Sequence, residues 1–155
     1  MPETTVVRKA DEGRAIWMLG GLYEVLVSSD ETGGATTVMK MTMPAGMGPP
    51  PHRHPGSETV YVLDGTVDYH IGDETVTGGP GTIFHIPADT LERFDPTTAA
   101  SVLVTYAPGG IEKFFAEAGE AALTRELPPP SSEPPDFERI VEIAAKYGMN
   151  IQPPA

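Results

Sequence analysis

Short runs of β-favouring residues, separated by turn residues, constrain the fold of this 155-residue chain more than any other feature. Glycine and proline each occur 17 times, as expected for a chain with many tight turns. The pair Asp64-Gly65 between two such runs predicts a β-hairpin, and Gly72-Asp73 predicts a second tight turn. Strands do not alternate with long helices before residue 110, so the pattern predicts an antiparallel sandwich or small barrel. The predicted strands cover residues 15–19, 22–27, 36–43, 59–63, 66–71, 75–77, 82–86, 91–94 and 100–106.

The sequence changes character after the last predicted strand. Residues 111–119 predict a short helix that ends at a glycine. Residues 127–135 contain five prolines and predict a stiff, extended connector. Asp136 predicts the N-terminal cap of a second helix over residues 137–147, whose apolar stripe must be buried on the barrel or on a partner subunit. That stripe consists of Phe137, Ile140, Val141, Ala144 and Tyr147. The chain is thus divided into a polar N-terminal arm (1–14), a barrel (15–110) and a C-terminal helical tail (111–155).

Composition and charge exclude several classes of function. The chain has no cysteine, which rules out disulfides, thiolate metal sites and cysteine nucleophiles. The formal net charge of −12 disfavours binding to nucleic acids and to anionic membranes. The N-terminus has no apolar signal segment and no run is long enough to span a membrane, so we expect a cytoplasmic protein.

The segment around His52 and His54 carries the strongest chemical signal. Side chains two residues apart in a strand point to the same side, so both imidazoles face one way. Glu58 has the same parity and can reach the same point if the strand turns back on itself. Two imidazoles and a carboxylate are three of the four ligands that a divalent metal such as zinc or iron takes in proteins. The sequence therefore predicts a metal site inside a small β-structure.

The same segment resembles the first conserved motif of the cupin family. The matching residues, with their characteristic spacings, are Gly46, His52, His54, Glu58 and Gly65. Gly81 and Pro87 resemble the start of the second cupin motif. The resemblance spans about residues 20–107 and is nearest to single-domain bacterial cupins of the quercetinase-like and polyketide-cyclase-like groups. It implies an all-β fold, a double-stranded β-helix or jelly-roll barrel, followed here by two short C-terminal α-helices.

The second motif departs from the cupin pattern at the position of its usual histidine, which is Glu92 here. Its usual glycine is Asp89 and its usual asparagine is Pro96. Three roles for Glu92 stay open: a fourth metal ligand, a general base near the metal, or a side chain turned outwards and paired with Arg93. A site with two histidines and two carboxylates around a divalent metal is formally neutral, and is therefore a weaker Lewis acid than the usual cupin site.

The resemblance implies one divalent metal ion per chain (Fe, Mn, Ni or Zn) held by His52, His54, Glu58 and Glu92. It also implies a homodimer and a small-molecule substrate. A quercetinase-like dioxygenase is the first expected activity. One alternative is an O₂-independent polyketide cyclase or isomerase with Glu92 as the base, and another is a non-catalytic cupin that binds a small ligand.

Other side chains are candidates for the walls of the site. His85 precedes the Pro87 turn and is a candidate catalytic residue if it faces the cavity, whereas His70 is expected to be exposed. Strand parity places Val60 and Val62 towards the cavity and Arg53 away from it. Most of the methionine and aromatic residues of the barrel are expected in its core, but if several line the mouth of the site they favour an aromatic or polyketide-type substrate over a sugar. These residues are Met39, Met41, Met43, Met47, Tyr61, Tyr69, Phe84 and Phe94.

Overall fold

The computed structural model describes residues 2–152 and contains two antiparallel β-sheets that enclose one hydrophobic core. One sheet has seven strands in the order β11-β1-β2-β3-β10-β5-β8, and the other has five in the order β12-β4-β9-β6-β7. This arrangement confirms the predicted all-β jelly-roll barrel. The strands are β1 (Arg14–Met18), β2 (Gly21–Val27), β3 (Thr37–Met43), β4 (His52–Arg53), β5 (Ser57–Asp64), β6 (Val67–Ile71), β7 (Glu74–Gly78), β8 (Ile83–Ile86), β9 (Glu92–Pro96), β10 (Ala100–Ala107), β11 (Glu120–Ala121) and β12 (Asn150–Ile151).

The turn at Asp64-Gly65 does not close a hairpin, contrary to the sequence prediction. Strand β5 pairs with β10 and β8, whereas β6 pairs with β7 and β9 in the other sheet. The turn therefore carries the chain from one sheet to the other. Gly65 has a φ of +76°, and a Cβ atom there would lie 2.2 Å from the carbonyl oxygen of Ala99. Both constraints favour glycine at this position. The glycine therefore indicates a tight turn, but it does not indicate which strands pair.

The C-terminal tail forms the two predicted helices and also extends both sheets. Helix α1 spans Ile111–Ala118 and helix α2 spans Phe137–Lys146, with the Asp136 side chain accepting a hydrogen bond from the backbone of Arg139. Strand β11 pairs with β1, and β12 pairs with β4, the strand that contains His52. No helix within residues 2–152 combines the length and the apolar character needed to cross a membrane. The tail is thus part of the barrel wall, which its helical sequence pattern does not reveal.

The N-terminal arm lies along the barrel. The backbone N–H of Thr4 donates to the carbonyl oxygen of Glu31, and the Arg8 guanidinium forms an ion pair with the Glu31 carboxylate at 2.8 Å. Glu31 belongs to a short 3₁₀ turn, Ser29–Thr32, inside the segment that the sequence marks as a loop. The last residue of the arm, Arg14, begins β1.

A buried carboxylate, Glu112, anchors the start of α1 to the barrel. Its oxygens accept hydrogen bonds from the backbone and hydroxyl of Ser29, from the hydroxyl of Thr37 and from the backbone of Gly110. Burial raises the pKa of Glu112, but the hydrogen bonds from Ser29 and Thr37 outweigh it and leave the pKa below the ordinary value of 4.5. The ionised carboxylate is therefore the form that stabilises this corner of the fold.

Replacing Glu112 by glutamine is expected to lower the free energy of unfolding by roughly 2 to 3 kcal/mol, because charge-assisted hydrogen bonds are lost and an amide donor faces other donors. Since the folded-state pKa is depressed, the wild-type contribution is complete above about pH 4.5 and is lost as the pH falls through the folded pKa. Urea unfolding between pH 3 and pH 7 measures both effects. The exposed Glu142 on α2 supplies the control, Glu142→Gln. Equal stability of the two variants at pH 7 would contradict this role.

Candidate metal centre

Four side chains predicted from the sequence meet at one buried point of the barrel. His52 lies in β4, His54 follows that strand, Glu58 lies in β5 and Glu92 begins β9. The pairing of β4 with β9 sets His52 directly opposite Glu92. All four residues are buried, and Glu92 is only 2% exposed. Burial of this many ionisable groups is costly unless they neutralise one another or share a cation.

The distances identify the tightest group within this set. The Nε2 atoms of His52 and His54 each lie 3.5 Å from Oε1 of Glu92. Among residues 2–152, His52, His54 and Glu92 are the only three that bring one ligand atom each within 4.8 Å of the other two. Glu58 lies beside this group, with Oε2 3.1 Å from Nε2 of His54. The third role considered for Glu92 is wrong, because Arg93 pairs with Asp95 instead.

The atoms of this cluster suit a metal ion. Both ring nitrogens of His54 and both carboxylate oxygens of Glu92 are buried and have no hydrogen-bond partner of good geometry. The Nδ1 atom of His52 lies 2.9 Å from the carbonyl oxygen of Pro50, which can only accept, so Nδ1 is the donor and Nε2 is the ring nitrogen that faces Glu92. Buried polar side-chain atoms without a hydrogen-bond partner are rare in protein interiors. The cluster is therefore able to hold a divalent metal ion.

Electrostatic coupling between these groups is strong. Burial lowers the pKa of His54, but the neighbouring carboxylates of Glu58 and Glu92, at 3.1 and 3.5 Å from its Nε2, outweigh it and raise the pKa to about 9. Burial alone would raise the pKa of Glu92, yet the two histidines lower it to about 2. The pKa of Glu58 is raised, chiefly by burial. The two carboxylates thus favour a positive charge at the centre of the cluster, and a bound metal ion would supply one.

The cluster lies at the end of an apolar cavity of about 230 Å³. His52, His54 and Glu58 supply its polar end, while Glu92 lies behind them and does not line it. No lysine or arginine of the described chain lines the cavity. The remaining wall is mostly methionine and aromatic side chains, including Met18, Met41, Met47, Phe94, Phe114 and Phe115. This wall suits a small ligand with a largely apolar surface.

Several predicted wall residues lie elsewhere. His85 is exposed on the outer face of β8, where its Nδ1 lies 2.9 Å from the hydroxyl of Thr59, so the expectation that it faces the cavity is wrong. Its parity in β8 is opposite to that of Phe84 and Ile86, which are buried. Val60 and Val62 are fully buried in the core and do not line the cavity.

Two polar predictions agree with the structure at least in part. Arg53 points away from the cluster and donates to the carbonyl oxygen of Asp89. His70 is partly exposed and contacts Asp95 and Thr75 on the outer face of the five-stranded sheet. Of the methionine and aromatic residues predicted to line the site, Met41, Met47 and Phe94 do so.

Sequence reasoning missed the contribution of the C-terminal tail to the cavity. Phe137 and Ile140 of α2, together with Met149 and Ile151, form part of its wall. The backbone of Gln152 also donates to the carbonyl oxygen of Pro51, one residue before His52. The apolar stripe of α2 indicated burial but could not indicate burial against the site. A second cavity of about 250 Å³ meets the first at His54, Tyr106 and Met149.

The loop before His52 needs a glycine at position 48. A Cβ atom there would lie 2.0 Å from the carbonyl oxygen of Phe94 and 2.6 Å from the Asp95 carboxylate. We expect Gly48→Ala to push this loop off β9 and to lower the free energy of unfolding by about 1–3 kcal/mol. The matched control is Gly79→Ala, where a Cβ atom meets nothing within 4 Å. Identical urea midpoints for the two variants would show that the close approach of the loop to β9 does not contribute to the stability of the fold.

Comparison with known proteins agrees with this fold. Residues 39–106 match the sequence profile of the cupin domain family. A search of curated proteins by sequence gave no match. An RmlC-like cupin from Shewanella frigidimarina NCIMB 400 is 16% identical, with a TM-score of 0.64, over 73% of this chain and 99% of that protein. Residues 39–106 are therefore similar in sequence to a cupin domain, and the fold of the chain is that of solved cupins.

Two further solved structures share the fold. KdgF from Halomonas sp. is 16% identical, with a TM-score of 0.56, over 62% of this chain and 87% of that protein. Streptomyces Pac13, described as a nucleoside dehydratase, is 20% identical, with a TM-score of 0.59, over 71% of this chain and 88% of that protein. Pac13 has also been solved with uridine. Proteins of this fold thus include an enzyme, Pac13, that has been solved with a small molecule.

Proposed function

We propose that this cupin is a metal-dependent enzyme that acts on a small, largely apolar substrate of the aromatic or polyketide type. The observation that carries the proposal is the convergence of His52, His54 and Glu92, with unpaired ligand atoms in His54 and Glu92, beside an apolar cavity that both histidines line. Two histidines and one carboxylate are the ligand set of non-haem Fe(II) oxygenases. A quercetinase-like oxygenase is therefore the first reaction to test.

The roles of the residues follow from their positions. His52, His54 and Glu92 would hold the metal ion, which when bound acts as a Lewis acid on a substrate oxygen. Glu58 lines the cavity next to this group and accepts a hydrogen bond from Tyr69 at 3.2 Å. Glu58 is thus positioned to take a proton from a substrate hydroxyl or carbon, and the apolar wall excludes water from the substrate.

A second candidate function is an O₂-independent isomerase or cyclase. The presence of two carboxylates in the site favours it, because one can ligate while the other acts as a base. In this version Glu58 is the base, since it lines the cavity and Glu92 does not. The dehydratase activity named for Pac13 supports proton-transfer chemistry on this fold.

Two assays on metal-loaded protein separate these functions. Oxygen uptake with quercetin, compared with the same protein in the presence of chelator, tests the oxygenase. Exchange of the α-hydrogens of 1-tetralone in anaerobic D₂O, followed by NMR, tests proton abstraction without oxygen. Chelator-sensitive oxygen uptake supports the first function and chelator-sensitive exchange supports the second. Binding without either reaction over a broader panel of aromatic ketones and phenols would contradict the enzyme proposal and leave a non-catalytic binding cupin.

A further inference from the structure

Two buried tyrosines of the cavity, Tyr23 in β2 and Tyr106 in β10, have no part in the metal cluster. Both rings are buried and both line the cavity. Tyr23 stacks on Phe115 with ring centroids 4.6 Å apart, and Tyr106 packs against His54 at 5.5 Å. The rings are therefore held on one wall by their neighbours, and their hydroxyl groups have fixed positions.

The hydroxyl groups of Tyr23 and Tyr106 differ from that of the third buried tyrosine, Tyr69. Tyr69 donates to Glu58, whereas Tyr23 and Tyr106 have no hydrogen-bond partner within residues 2–152. Neither of their oxygens is fully enclosed by protein atoms, so each borders open space. Both rings line the cavity of the metal cluster, and the Tyr106 ring also lines the second cavity. A hydroxyl group kept in an apolar cavity without a partner is destabilising until a ligand supplies one.

These groups can act only as neutral hydrogen-bond donors or acceptors at ordinary pH. Burial raises the pKa of Tyr23 to about 12. Burial, followed by the charges of Glu58 and Glu92, raises the pKa of Tyr106 well above its ordinary value. Since no lysine or arginine of the described residues lines the cavity, donors for a ligand oxygen at this wall come from the two tyrosines.

We propose that Tyr23 and Tyr106 position the substrate by donating hydrogen bonds to an acceptor oxygen, such as a ketone carbonyl, carried on a flat apolar skeleton. This inference deepens the proposed function, because it names the substrate class of the same cavity. A polyhydroxylated sugar would leave most of its hydroxyls unpaired against the methionine and aromatic wall, and a carboxylate or phosphate would meet no lysine or arginine among the described residues. The favoured ligand is an aromatic or polyketide-type ketone.

The test compares two ligands of nearly equal shape, 1-tetralone and tetralin, which differ in one carbonyl oxygen. Binding to the full-length protein is measured by NMR titration, both as purified and after chelation. We expect wild type to bind 1-tetralone more tightly than tetralin. Tyr106→Phe and Tyr23→Phe should each weaken 1-tetralone binding by about two- to tenfold and leave tetralin binding unchanged. The control is Tyr61→Phe, since Tyr61 is 43% exposed and does not line the cavity.

Three results would overturn this inference. The first is that the phenylalanine variants bind 1-tetralone and tetralin more weakly by the same factor. The second is that they bind both ligands as tightly as wild type does. The third is that wild type binds 1-tetralone no more tightly than tetralin. The first would mean that the rings matter only for packing. Because the comparison is repeated after chelation, a tyrosine effect that persists without metal supports the donor pair even if the metalloenzyme proposal fails. Conversely, if the protein binds metal but the tyrosine variants bind 1-tetralone as wild type does, the proposed function stands and this inference is wrong.

Discussion

Replacement of Glu92 by glutamine is expected to lower the affinity of the protein for Fe²⁺, Mn²⁺ or Zn²⁺ by more than about 100-fold. Loss of a residue that only supports a ligand already costs roughly 10- to 100-fold, and loss of a ligand should cost more. Glu92 Oε1 lies 3.5 Å from both histidine Nε2 atoms, and no other carboxylate of residues 2–152 lies within 4 Å of both, so the neutral amide removes the charge that the two histidines share. Isothermal titration of the chelated protein with each metal measures the change.

The control for this experiment is Glu133→Gln, which makes the same chemical change at an exposed position of the proline-rich connector. Both variants raise the net charge by one, so a difference between them reports the site and not general electrostatics. Glu92→His, which restores the residue type usual in cupins, should recover metal binding. Unaltered affinity in Glu92→Gln would mean that this carboxylate is not a ligand.

Replacement of Glu58 by glutamine is expected to have the opposite pattern: metal retained and turnover lost. His52, His54 and Glu92 form the tight cluster without Glu58, whereas Glu58 lines the cavity where a substrate would lie. Removing a general base typically lowers the rate by about 10²- to 10⁴-fold. The turnover rate in whichever of the quercetin and 1-tetralone assays is active in wild type, together with metal content, measures the effect.

A matched variant distinguishes loss of the Glu58 carboxylate from loss of the hydrogen bond that holds it in place. Tyr69→Phe removes the hydroxyl that donates to Glu58 and should reduce turnover far less than Glu58→Gln does. If Glu58→Gln instead loses metal as completely as Glu92→Gln, Glu58 is a ligand, as the cupin resemblance implies, and the assignment of the base is wrong.

The local sequence pattern was enough to predict the centre of the site. The single residue between His52 and His54 sets both rings on one side of an extended chain, and this parity does not depend on the rest of the fold. The fold class was also predictable, because short strands with close turns leave few architectures. Helix α2 was predictable because its cap, its apolar stripe and its glycine stop are local signals as well.

Features that depend on contacts between distant segments could not be predicted in this way. The Asp64-Gly65 turn has the residues of a hairpin, yet its two strands belong to different sheets. His85 lies on the exposed face of β8, whereas Glu92 is buried at the start of β9. Which face of β8 is buried depends on contacts with other strands, and the sequence of β8 alone does not specify it. Met149 and Ile151 form part of the cavity wall because β12 pairs with β4. This pairing joins two strands of only two residues each, and neither is recognisable from its own sequence.

The most direct test of the account is the metal content of the protein purified without a nickel column. Inductively coupled plasma mass spectrometry of wild type and of His54→Ala, both before and after incubation with Fe²⁺, Mn²⁺, Ni²⁺ and Zn²⁺ followed by desalting, gives the number of ions per chain. The account predicts about one ion per chain in wild type and close to none in the variant. Wild-type protein that retains no metal after any of these incubations would contradict the central claim that this cluster is a metal centre.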